Sequence, residues 1–582
     1  NLYSAGHTTV TREDGDDTPE VYQMTYLEKG VWEVTIPWDL HGMYYTFNVI
    51  NNGSKVSDIQ DPYSLSLGVN GLRSMVVNFD AINPEGWNND SGIDGFTSPN
   101  DSIIYEIHVR DLTSQAAWGG PSKYAKTYMG FTVKGTSFTN SNNGVTISTG
   151  LDHLVELGIT HVHLLPTYDQ DNWNDVTNME FNWGYNPVNY NSPEGGYSTD
   201  PFDGSVRINE YQQMVMALHE NGINVIQDVV YNHTGNGAGY SFNKVVPNYF
   251  YRLNSDGSFS NGTGVGNETA SERFMVRKYI VDSVEMWARE YHIDGFRFDL
   301  MAVHDVETMN LLASKLELID PDIFVYGEPW GGGKIALDYN LQAGKNNITN
   351  MPNISAFNDK FRDAIKGSTF NASGKGYVTN SDGVYDIMKG IEGSINWSWG
   401  LTSTQSINYV SAHDNLTLYD KLNAANGGTG YTNSDTNLSV SGLTTGSGAL
   451  LDVFATQINY QKQYFTITEV DSNNEISICR SRITISPVPT EGTINDGDAM
   501  YLNMSDSAIG RIYRVTFVGG NGFRDGLYSD IPLVGGSGSG TTYGVNISDG
   551  SCNHDIVVAN RLRGNTAGYN DAGASDVIAS NS

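Results

Sequence analysis

The stretch DGFRFDL, residues 294–300, decides how the rest of the chain is interpreted. It places Arg297 and Asp299 two residues apart in an otherwise mostly apolar run, and such a run is typical of a buried strand. Residues i and i+2 of a strand point to the same face, so the two charged groups should lie side by side. Burying an ionised side chain costs several kcal/mol unless it is paired. The pair is therefore either a structural ion pair or a carboxylate that is held charged for chemistry.

The length and composition of the chain limit its class and its partners. Its 582 residues are too many for one hydrophobic core and predict two to four domains. With 33 basic and 66 acidic residues, the net charge is −33. A chain this acidic is repelled by nucleic acid and by anionic membranes. Neither is therefore expected as a partner, and the substrate should be neutral or cationic.

Other features of the sequence concern disulfides, membranes and location. The two cysteines, Cys479 and Cys552, predict no disulfide framework. No run of about eighteen apolar residues indicates a membrane span, and no signal-like segment follows Asn1. Extracellular and cytoplasmic locations both stay open, as does the oligomeric state.

Three regions of the chain differ in sequence pattern and predict three domains. Residues 1–98 alternate apolar and polar residues between turn formers such as Asn52-Gly53, which predicts a small antiparallel β module. Its aromatic residues Trp32, Trp38 and Tyr44 either form a sugar-stacking face or pack within the sheet. Residues 99–423 alternate apolar runs with amphipathic helices. Residues 424–582 are rich in Gly, Ser, Thr and Asn and predict a β-rich region of unknown role.

The middle region predicts a parallel α/β fold, because near-continuous apolar runs alternate with helical patterns such as those at 210–222 and 273–292. Both a (β/α)8 barrel and a doubly wound sheet place functional groups at the carboxyl ends of their strands. The pattern therefore leaves both folds open. The predicted strands lie within residues 102–111, 159–166, 224–233, 294–300, 322–330 and 407–414.

Charged and polar side chains collect where these strands should end. They are Asp228, His233, Arg297, Asp299, Glu328, His413 and Asp414. Hydrolysis of a glycosidic bond needs one carboxyl group with a raised pKa as the acid and a second, ionised carboxylate as nucleophile or base. Because an adjacent arginine favours the charged form of a carboxylate, Asp299 is the candidate nucleophile and Glu328 the candidate acid/base.

The remaining strand-end groups have predicted roles in the same chemistry. Asp414 is a third carboxylate that would bind the distorted sugar, and His233 and His413 would donate hydrogen bonds to sugar hydroxyls. A retaining mechanism requires the carboxyl groups of Asp299 and Glu328 to lie within about 5–6 Å of each other. A metal site built from Asp228, His233, Asp299 and Glu328 is an alternative interpretation.

The motifs DVVYNH (228–233), DGFRFDLM (294–301), GEPW (327–330) and VSAHDN (410–415) resemble the four conserved stretches of the α-amylase superfamily of retaining glycoside hydrolases. The stretch FNWGYNPVNYNSPEGGYSTDP at 181–201 is similar to the signature of type I pullulanases, as are residues 149–166 and 266–301. The resemblance covers about residues 20–423. It implies a (β/α)8-type TIM barrel, preceded at 1–98 by a starch-binding-type β-sandwich module that lacks its first strands.

The resemblance also implies a function and a set of site residues. It implies cleavage of α-1,6-glucosidic bonds in pullulan, amylopectin or glycogen-type glucans, with Asp299 as nucleophile, Glu328 as acid/base and Asp414 as transition-state stabiliser. No cofactor is expected; calcium is common in the superfamily, but no ligand set for it is identifiable in this sequence. The residues implied in substrate binding are Trp183, Tyr185, Asp228, His233, Arg297, Trp330 and His413.

The sequence departs from the family pattern at two places in the barrel region. Asn186 stands where pullulanases usually carry Asp, which predicts altered substrate binding without loss of activity. Beyond Leu422 the eighth barrel strand is not recognisable, and an unclosed barrel leaves two exposed sheet edges. The segment ALLDVFATQINY at 449–460 is a candidate for filling the gap.

Alternative functions follow from these departures. Another enzyme of the superfamily, such as a branching transferase or an α-1,4-amylase, shares the same carboxylates. A non-catalytic glucan-binding protein, or a fusion or fragment, would explain the missing strand and the unfamiliar region after 424.

Overall fold

The structure, a computed structural model, describes residues 1–6, 18–93, 96, 98–171, 173–177, 181–394 and 402–426, together with seven short strands between residues 475 and 558. The chain divides into two compact units, Asn1–Ile458 and Asn459–Ser582. The domain boundaries predicted after residues 98 and 423 stay predictions. The segment 449–460, the candidate for completing the barrel, lies outside the described residues.

Within its described residues, the first unit contains short β-strands and nine α-helices. The strands are β1 (Leu2–Tyr3), β2 (Thr25–Tyr26), β3 (Trp32–Glu33), β4 (Tyr44–Tyr45), β5 (Phe47–Asn51), β6 (Ser54–Ile59), β7 (Ser74–Met75), β8 (Ile104–Ile107), β9 (Ser137–Thr139), β10 (Thr146–Ser148), β11 (His161–Leu164), β12 (Tyr168–Gln170), β13 (Pro187–Pro193), β14 (Asn224–Val229), β15 (Gly295–Phe298), β16 (Phe324–Gly327), β17 (Ser355–Phe357) and β18 (Ser406–Ile407). The helices are α1 (Gly150–Glu156), α2 (Gly204–His219), α3 (Ser241–Val245), α4 (Phe274–Glu290), α5 (Val306–Glu317), α6 (Asp359–Lys366), α7 (Tyr377–Asn380), α8 (Val384–Ile391) and α9 (Leu418–Asn426). In the part of the chain that the structure describes, none of the helices is both long enough and apolar enough for a membrane crossing.

Seven strands form one all-parallel sheet in the spatial order β8–β11–β14–β15–β16–β17–β18. Helices α1, α2, α4, α5 and α6–α8 lie between successive strands along the chain. The spatial order equals the chain order throughout, whereas a doubly wound sheet reverses direction at a switch point. The sheet therefore fits a (β/α)8-type barrel that, among the described residues, has seven of its strands. Five of the six predicted strands are confirmed, whereas β18 overlaps the sixth, at 407–414, only at Ile407. The three-residue β17 is the strand that the sequence pattern did not reveal.

The two edges of this sheet, β8 and β18, are bridged by side chains from the segments that flank them. Before β8, Asn100 donates a side-chain hydrogen bond of 3.1 Å to the hydroxyl of Ser403, which precedes β18. A cavity of about 70 Å³ lies near both edges and is lined by residues that include Glu106, His163 and Tyr326. The described edges are thus linked through polar contacts, without a ladder of backbone hydrogen bonds.

The hydrophobic core lies mainly between the sheet and the surrounding helices. Trp287 of α4 is fully buried, and its indole N–H donates a 2.9 Å hydrogen bond to the carbonyl of Tyr190. On the inner face of the sheet, a smaller cluster contains Ile226, Phe324, Tyr326 and Ile407. Burial of both faces explains why the predicted strands are near-continuous apolar runs.

The N-terminal strands form small antiparallel sheets, as the sequence predicts: β1–β4–β7, β2–β3 and β5–β6. Between β5 and β6, Asn52 and Gly53 have φ angles of 49° and 82°, as a two-residue hairpin turn requires. Trp32 and Trp38 are 55% and 54% exposed, whereas Tyr44 is 5% exposed. The hydroxyl of Tyr44 accepts a hydrogen bond from the backbone N–H of Gly204, so Tyr44 packs inside the unit and does not belong to a sugar-stacking face.

The second unit is β-rich in its described part, as the sequence predicts. One antiparallel sheet has the order β19–β20–β21–β24–β25, and β22 pairs with β23. The bounds are β19 (Glu475–Ile478), β20 (Ser481–Ser486), β21 (Ala499–Met504), β22 (Gly510–Val515), β23 (Tyr528–Leu533), β24 (Thr542–Ile547) and β25 (Ile556–Val558).

A buried charge cluster ties the end of α2 to the amino-terminal side of the sheet. His219 lies 2.8 Å from Asp90 through Nδ1 and 2.9 Å from Asp294 through Nε2. Burial lowers the pKa of His219, but the two carboxylates outweigh it and raise that pKa to about 10. Burial likewise raises the pKa of Asp90, but His219 and His292 outweigh it and lower that pKa to about 2. The cluster therefore holds His219 as an imidazolium.

Replacing His219 by glutamine should lower the free energy of unfolding by about 3 kcal/mol near pH 6, because Asp294 and the buried Asp90 lose the cation that they share. A raised pKa in the folded state stabilises below pH 6.5 and loses its effect as the pH rises through about 10. The difference between wild type and variant, measured by urea unfolding, should therefore shrink from pH 6 towards pH 10. His153→Gln on α1 is the matched control. Equal losses for both variants at every pH would contradict the assignment.

Candidate active site

The register of the sheet brings Asp299 and Glu328 together. Phe298 of β15 is paired with Gly327 of β16 in parallel register, and Asp299 and Glu328 directly follow these two residues. The backbone continues in register, because the N–H of Glu328 donates to the carbonyl of Phe298 at 3.0 Å. Neighbouring strands lie about 4.8 Å apart, so the two carboxyl groups leave adjacent strand ends.

Arg297 is the common partner of three carboxylates at this edge of the sheet. One of its nitrogens, Nη1, lies 3.0 Å from Asp228 and 2.9 Å from Asp299, and Nη2 lies 3.0 Å from Glu328. The side chain of Arg297 is almost fully buried. The pair in the DGFRFDL stretch is thus part of a larger network in which one guanidinium fixes the positions of Asp299 and Glu328. Their predicted separation of about 5–6 Å stays a prediction.

The network carries more negative than positive charge, and this affects proton binding. Burial raises the pKa of Glu328 to about 7, with contributions from the charges of Asp299 and Asp414 and in opposition to Arg297. Burial and the charge of Asp228 also raise the pKa of Asp299, which Arg297, His233 and Asn232 oppose. Glu328 faces the carboxylates of Asp299 and Asp414, whereas Asp299 faces that of Asp228 and accepts a hydrogen bond from the side-chain amide of Asn232. The arrangement therefore favours a proton on Glu328 and a negative charge on Asp299.

Two further contacts orient these carboxylates. The side-chain amide of Asn232 donates a 2.8 Å hydrogen bond to Oδ2 of Asp299. The backbone N–H of Leu300 donates a 3.0 Å hydrogen bond to Oε2 of Glu328. Leu300 has a φ angle of 40°, and a non-glycine residue in the left-handed region costs of order 1–2 kcal/mol. The backbone is thus strained where it points an N–H at Glu328.

Asp228 lies beneath the site as a fully buried support. It accepts hydrogen bonds from Tyr185 at 2.6 Å and from Arg297 at 3.0 Å, and His163 contacts it at 3.1 Å. Burial raises the pKa of Asp228, but Arg297, His163 and Tyr185 outweigh it, so the pKa lies below its ordinary value. Asp228 is therefore ionised and anchors the aromatic ring of Tyr185.

Aromatic rings and His413 form the wall of the site next to Tyr185. The rings of Tyr185 and His413 stack with centroids 4.8 Å apart, and the ring of Trp183 meets His413 edge-on at 5.1 Å. Glu106 of β8 contacts Nδ1 of His413 at 2.9 Å. Three of the residues predicted to bind substrate, Trp183, Tyr185 and His413, are thus brought together.

The two remaining polar candidates differ in exposure. Asp414 is the exposed one, since 56% of its side chain is accessible to solvent. One of its oxygens lies 3.6 Å from Nε2 of His413. His233 is buried; Nδ1 contacts the side-chain oxygen of Asn232 at 2.5 Å, and Nε2 contacts the carbonyl of Tyr185 at 3.0 Å. Both ring nitrogens of His233 thus meet protein oxygens. The predicted contact of His233 with a sugar hydroxyl stays a prediction.

The residues that follow Glu328 in the sequence line a groove of about 600 Å³. Its lining includes Pro329, Trp330 and Tyr339, and the ammonium of Lys345 lies 5.7 Å from the ring of Trp330. Tyr339 is 60% exposed. Trp330, two residues after the predicted acid/base, therefore lines an open groove together with a second aromatic ring.

Comparison with known proteins supports the fold. A family model described as the catalytic domain of α-amylase matches residues 135–252. Over 443 residues, 73% of this chain, the sequence is 40% identical to a pullulanase from Bacillus subtilis. A crystal structure of the pullulanase from Paenibacillus barengoltzii, complexed with maltohexaose and α-cyclodextrin, is 41% identical, covers 74% of this chain and has a TM-score of 0.69. The chain belongs to the pullulanases of the α-amylase superfamily.

The chain matches only part of the length of these pullulanases. The chain spans 60% of the Bacillus subtilis protein and 65% of the Paenibacillus barengoltzii chain. It is also 31% identical to pullulanase 1 of Arabidopsis thaliana, of which it spans 49%. The activity of the longer relatives is therefore a proposal for this chain.

The departure at Asn186 from the usual pullulanase sequence has a local structural explanation. The side-chain amide of Asn186 donates a hydrogen bond to the backbone carbonyl of Asp171, and the carbonyl of Asn186 accepts one from the N–H of Asp171 at 2.9 Å. An ionised aspartate could not donate the first of these bonds. Asn186 therefore stabilises the position of the loop that carries Trp183 and Tyr185 by binding it to the backbone of Asp171.

The alternative of a metal site does not agree with the geometry. Among the described residues, no group of three or more His, Cys, Asp or Glu side chains is arranged to hold a metal ion. The centre between Asp228, Asp299 and Glu328 is occupied by the guanidinium of Arg297, which would repel a cation.

Sequence reasoning missed three residues of this candidate site: Glu106, His163 and Asn232. Asn232 is inside the motif DVVYNH, and Glu106 and His163 lie within predicted strands. Their ladder positions are adjacent, because Glu106 pairs with His163 between β8 and β11. A polar residue in an otherwise apolar strand was the available signal for both.

Proposed function

We propose that this chain is a retaining glycoside hydrolase that cleaves α-1,6-glucosidic bonds in pullulan, amylopectin or glycogen-type glucans. The observation that carries the proposal is the contact of Asp299 and Glu328 with one guanidinium. Two neighbouring carboxyl groups with different proton affinities are what a double displacement at a glycosidic bond needs.

The proposed reaction has two steps. Asp299 attacks the anomeric carbon while Glu328 gives its proton to the departing glycosidic oxygen, and a covalent glucosyl ester on Asp299 results. Glu328, now ionised, then takes a proton from the water that attacks the same carbon and releases Asp299. Arg297 keeps both carboxylates in place during both steps, and the exposed Asp414 stabilises the positive charge that develops on the sugar.

The proposed substrate class rests on the aromatic wall and on the relatives. Tyr185, Trp183 and Trp330 offer ring faces to the apolar faces of glucose, and a neutral polysaccharide is compatible with a net charge of −33. The relatives named above are pullulanases, and the Paenibacillus barengoltzii structure contains maltohexaose and α-cyclodextrin. The preference for α-1,6 bonds rests on the likeness of residues 181–201 to pullulanases.

Incubation of the chain with pullulan should release maltotriose, with the α-anomer as the first product seen by NMR. Asp299→Ala should release none. Other trisaccharides would assign the chain to the α-1,4-specific enzymes, and longer branched products would assign it to the branching transferases. Retention on starch without new reducing ends, unchanged in Asp299→Ala, would show glucan binding without catalysis and would overturn the proposal.

A further inference from the structure

Glu106 and His413 meet although they belong to opposite edges of the described sheet. Glu106 lies in β8, and His413 lies six residues after the end of β18. One oxygen of the Glu106 carboxylate accepts the backbone N–H of His413 at 2.5 Å, and the other contacts Nδ1 of its ring at 2.9 Å. A single carboxylate therefore fixes both the backbone and the imidazole of one residue.

This double contact determines which ring atom of His413 is available to a ligand. Nδ1 is held by Glu106, so Nδ1–H is the donor in that hydrogen bond. Tyr185 covers one face of the ring, and Trp183 meets it edge-on. Nε2 lies 3.6 Å from Asp414, on the side of the exposed carboxylate. The ring is thus oriented with Nε2 towards the open part of the site.

The charges around His413 favour its protonated form. Burial lowers the pKa of His413, but Glu106 and Asp414 outweigh burial and the opposing charge of Arg297, so the pKa lies above its ordinary value. Burial raises the pKa of Glu106, but His413, His163 and Arg297 outweigh it, so that carboxyl is ionised. Asp228 lies on the far side of His163, at 3.1 Å from it, and adds a further negative charge.

We propose that Glu106 is a positioning residue that holds His413 in its protonated form with Nε2–H directed at a hydroxyl group of the glucose unit bound at the site. The proposal rests on the proposed function for the identity of the ligand. Glu106 itself reaches the substrate only through His413. The contact between Glu106 and His413 also links the two edges of the described sheet, which strand pairing would join in a closed barrel.

Glu106→Gln is expected to lower kcat/KM on pullulan by about 10- to 100-fold, the usual effect of losing a hydrogen bond between charged groups in a buried site. The loss should appear mainly in KM, because His413 contacts the sugar in the ground state as well as in the transition state. The ratio of wild-type to variant activity should fall as the pH is lowered, since acid protonates His413 without help from Glu106.

Two variants separate positioning from a general loss of structure. Glu210→Gln removes a buried carboxylate of α2 that accepts hydrogen bonds from Thr199, and its kcat/KM should stay at the wild-type value at every pH. Glu106→Asp keeps the charge on a shorter side chain and should restore part of the lost KM. It also serves as the test if Glu106→Gln does not fold. A pH-independent loss that Glu106→Asp does not relieve would overturn the proposal.

A measurement without substrate tests the role of Glu106 independently of the proposed catalytic function. In full-length chain with ¹³C-labelled histidine, the C2–H signal of His413, assigned by its loss in His413→Gln, should titrate at lower pH in Glu106→Gln than in wild type. If wild type hydrolyses no pullulan but this shift is present, the proposed function fails while the role of Glu106 stands. An unchanged titration of His413 in both Glu106 variants would overturn that role, whatever the activity.

Discussion

Asp299→Asn is expected to reduce pullulan hydrolysis by on the order of 10⁴-fold or more, the loss typical of removing a nucleophile that acts as part of a unit. An amide cannot form the glucosyl ester, whereas its size and its oxygen allow the contact with Arg297 at Nη1 to persist. Binding should survive, because the variant leaves Tyr185, Trp183 and His413 in place. Reducing-end assays measure the first effect, and calorimetry with maltotriose measures the second.

The covalent intermediate provides the decisive measurement for Asp299. Wild type incubated with a fluorinated α-glucosyl fluoride, which slows the second step, should gain the mass of one sugar on the peptide that contains Asp299. Asp299→Asn should gain none. The matched control is Asp203→Asn at the N-terminus of α2, where the Asp203 side chain accepts from the N–H of Ser205 and asparagine caps equally well. Hydrolysis by Asp299→Asn at more than about a tenth of the wild-type rate would remove Asp299 from the role of nucleophile.

The parts of the site that could be predicted from sequence are those set by local geometry. Arg297 and Asp299 share a strand face because the side-chain period of a strand is two, and the 2.9 Å contact follows from that. Asp228 and Glu328 lie at the ends of the two strands that flank β15, and all parallel strands of a sheet end at one edge. The position of β17 was harder to predict, since a three-residue strand gives too short a pattern to distinguish from a loop.

The parts that could not be predicted depend on contacts between distant segments. Glu106 and His413 are 307 residues apart, and no local pattern in the sequence relates them. An aromatic residue in a strand pattern, such as Tyr44, can lie on the surface of a sheet. The contact of Tyr44 with Gly204 instead places it in the core. The raised pKa of Glu328 follows from the carboxylates around it, which requires their register to be known. Sequence pattern thus identified the chemical groups, and tertiary contacts determine their protonation.

The network around Arg297 also explains why the site tolerates so many buried carboxylates. Asp228, Asp299 and Glu328 surround one guanidinium, so full ionisation would leave an excess of two negative charges. Because isolated buried charge is costly, the least costly arrangement retains a proton within this cluster, and the pKa of Glu328, raised to about 7, places it on Glu328. The excess of negative charge, which would destabilise the fold if all groups were ionised, thereby keeps Glu328 protonated as a general acid near neutral pH.

Glu328→Gln is accordingly expected to lower kcat on pullulan by 10²- to 10⁴-fold, the usual contribution of a general acid. In wild type, activity should fall as the pH rises through about 7, because Glu328 loses its proton there. The variant has no such group, so its residual activity should lack this alkaline decline. An α-glucosyl fluoride needs no protonation of its leaving group, and the variant should therefore hydrolyse it at close to the wild-type rate in the first step.

Stability should respond to Glu328→Gln in the opposite direction, which separates this role from a structural one. A carboxyl whose pKa rises on folding, from 4.5 to about 7, stabilises the fold below pH 4.5 and loses this effect as the pH rises through about 7. Glutamine carries no charge at any pH, so the variant should gain stability relative to wild type above pH 7 while its activity on pullulan stays low. Urea unfolding at pH 5 and pH 8.5 measures the difference. A variant that is less stable than wild type at pH 8.5, or that retains the alkaline decline in activity, would place the proton on a different group.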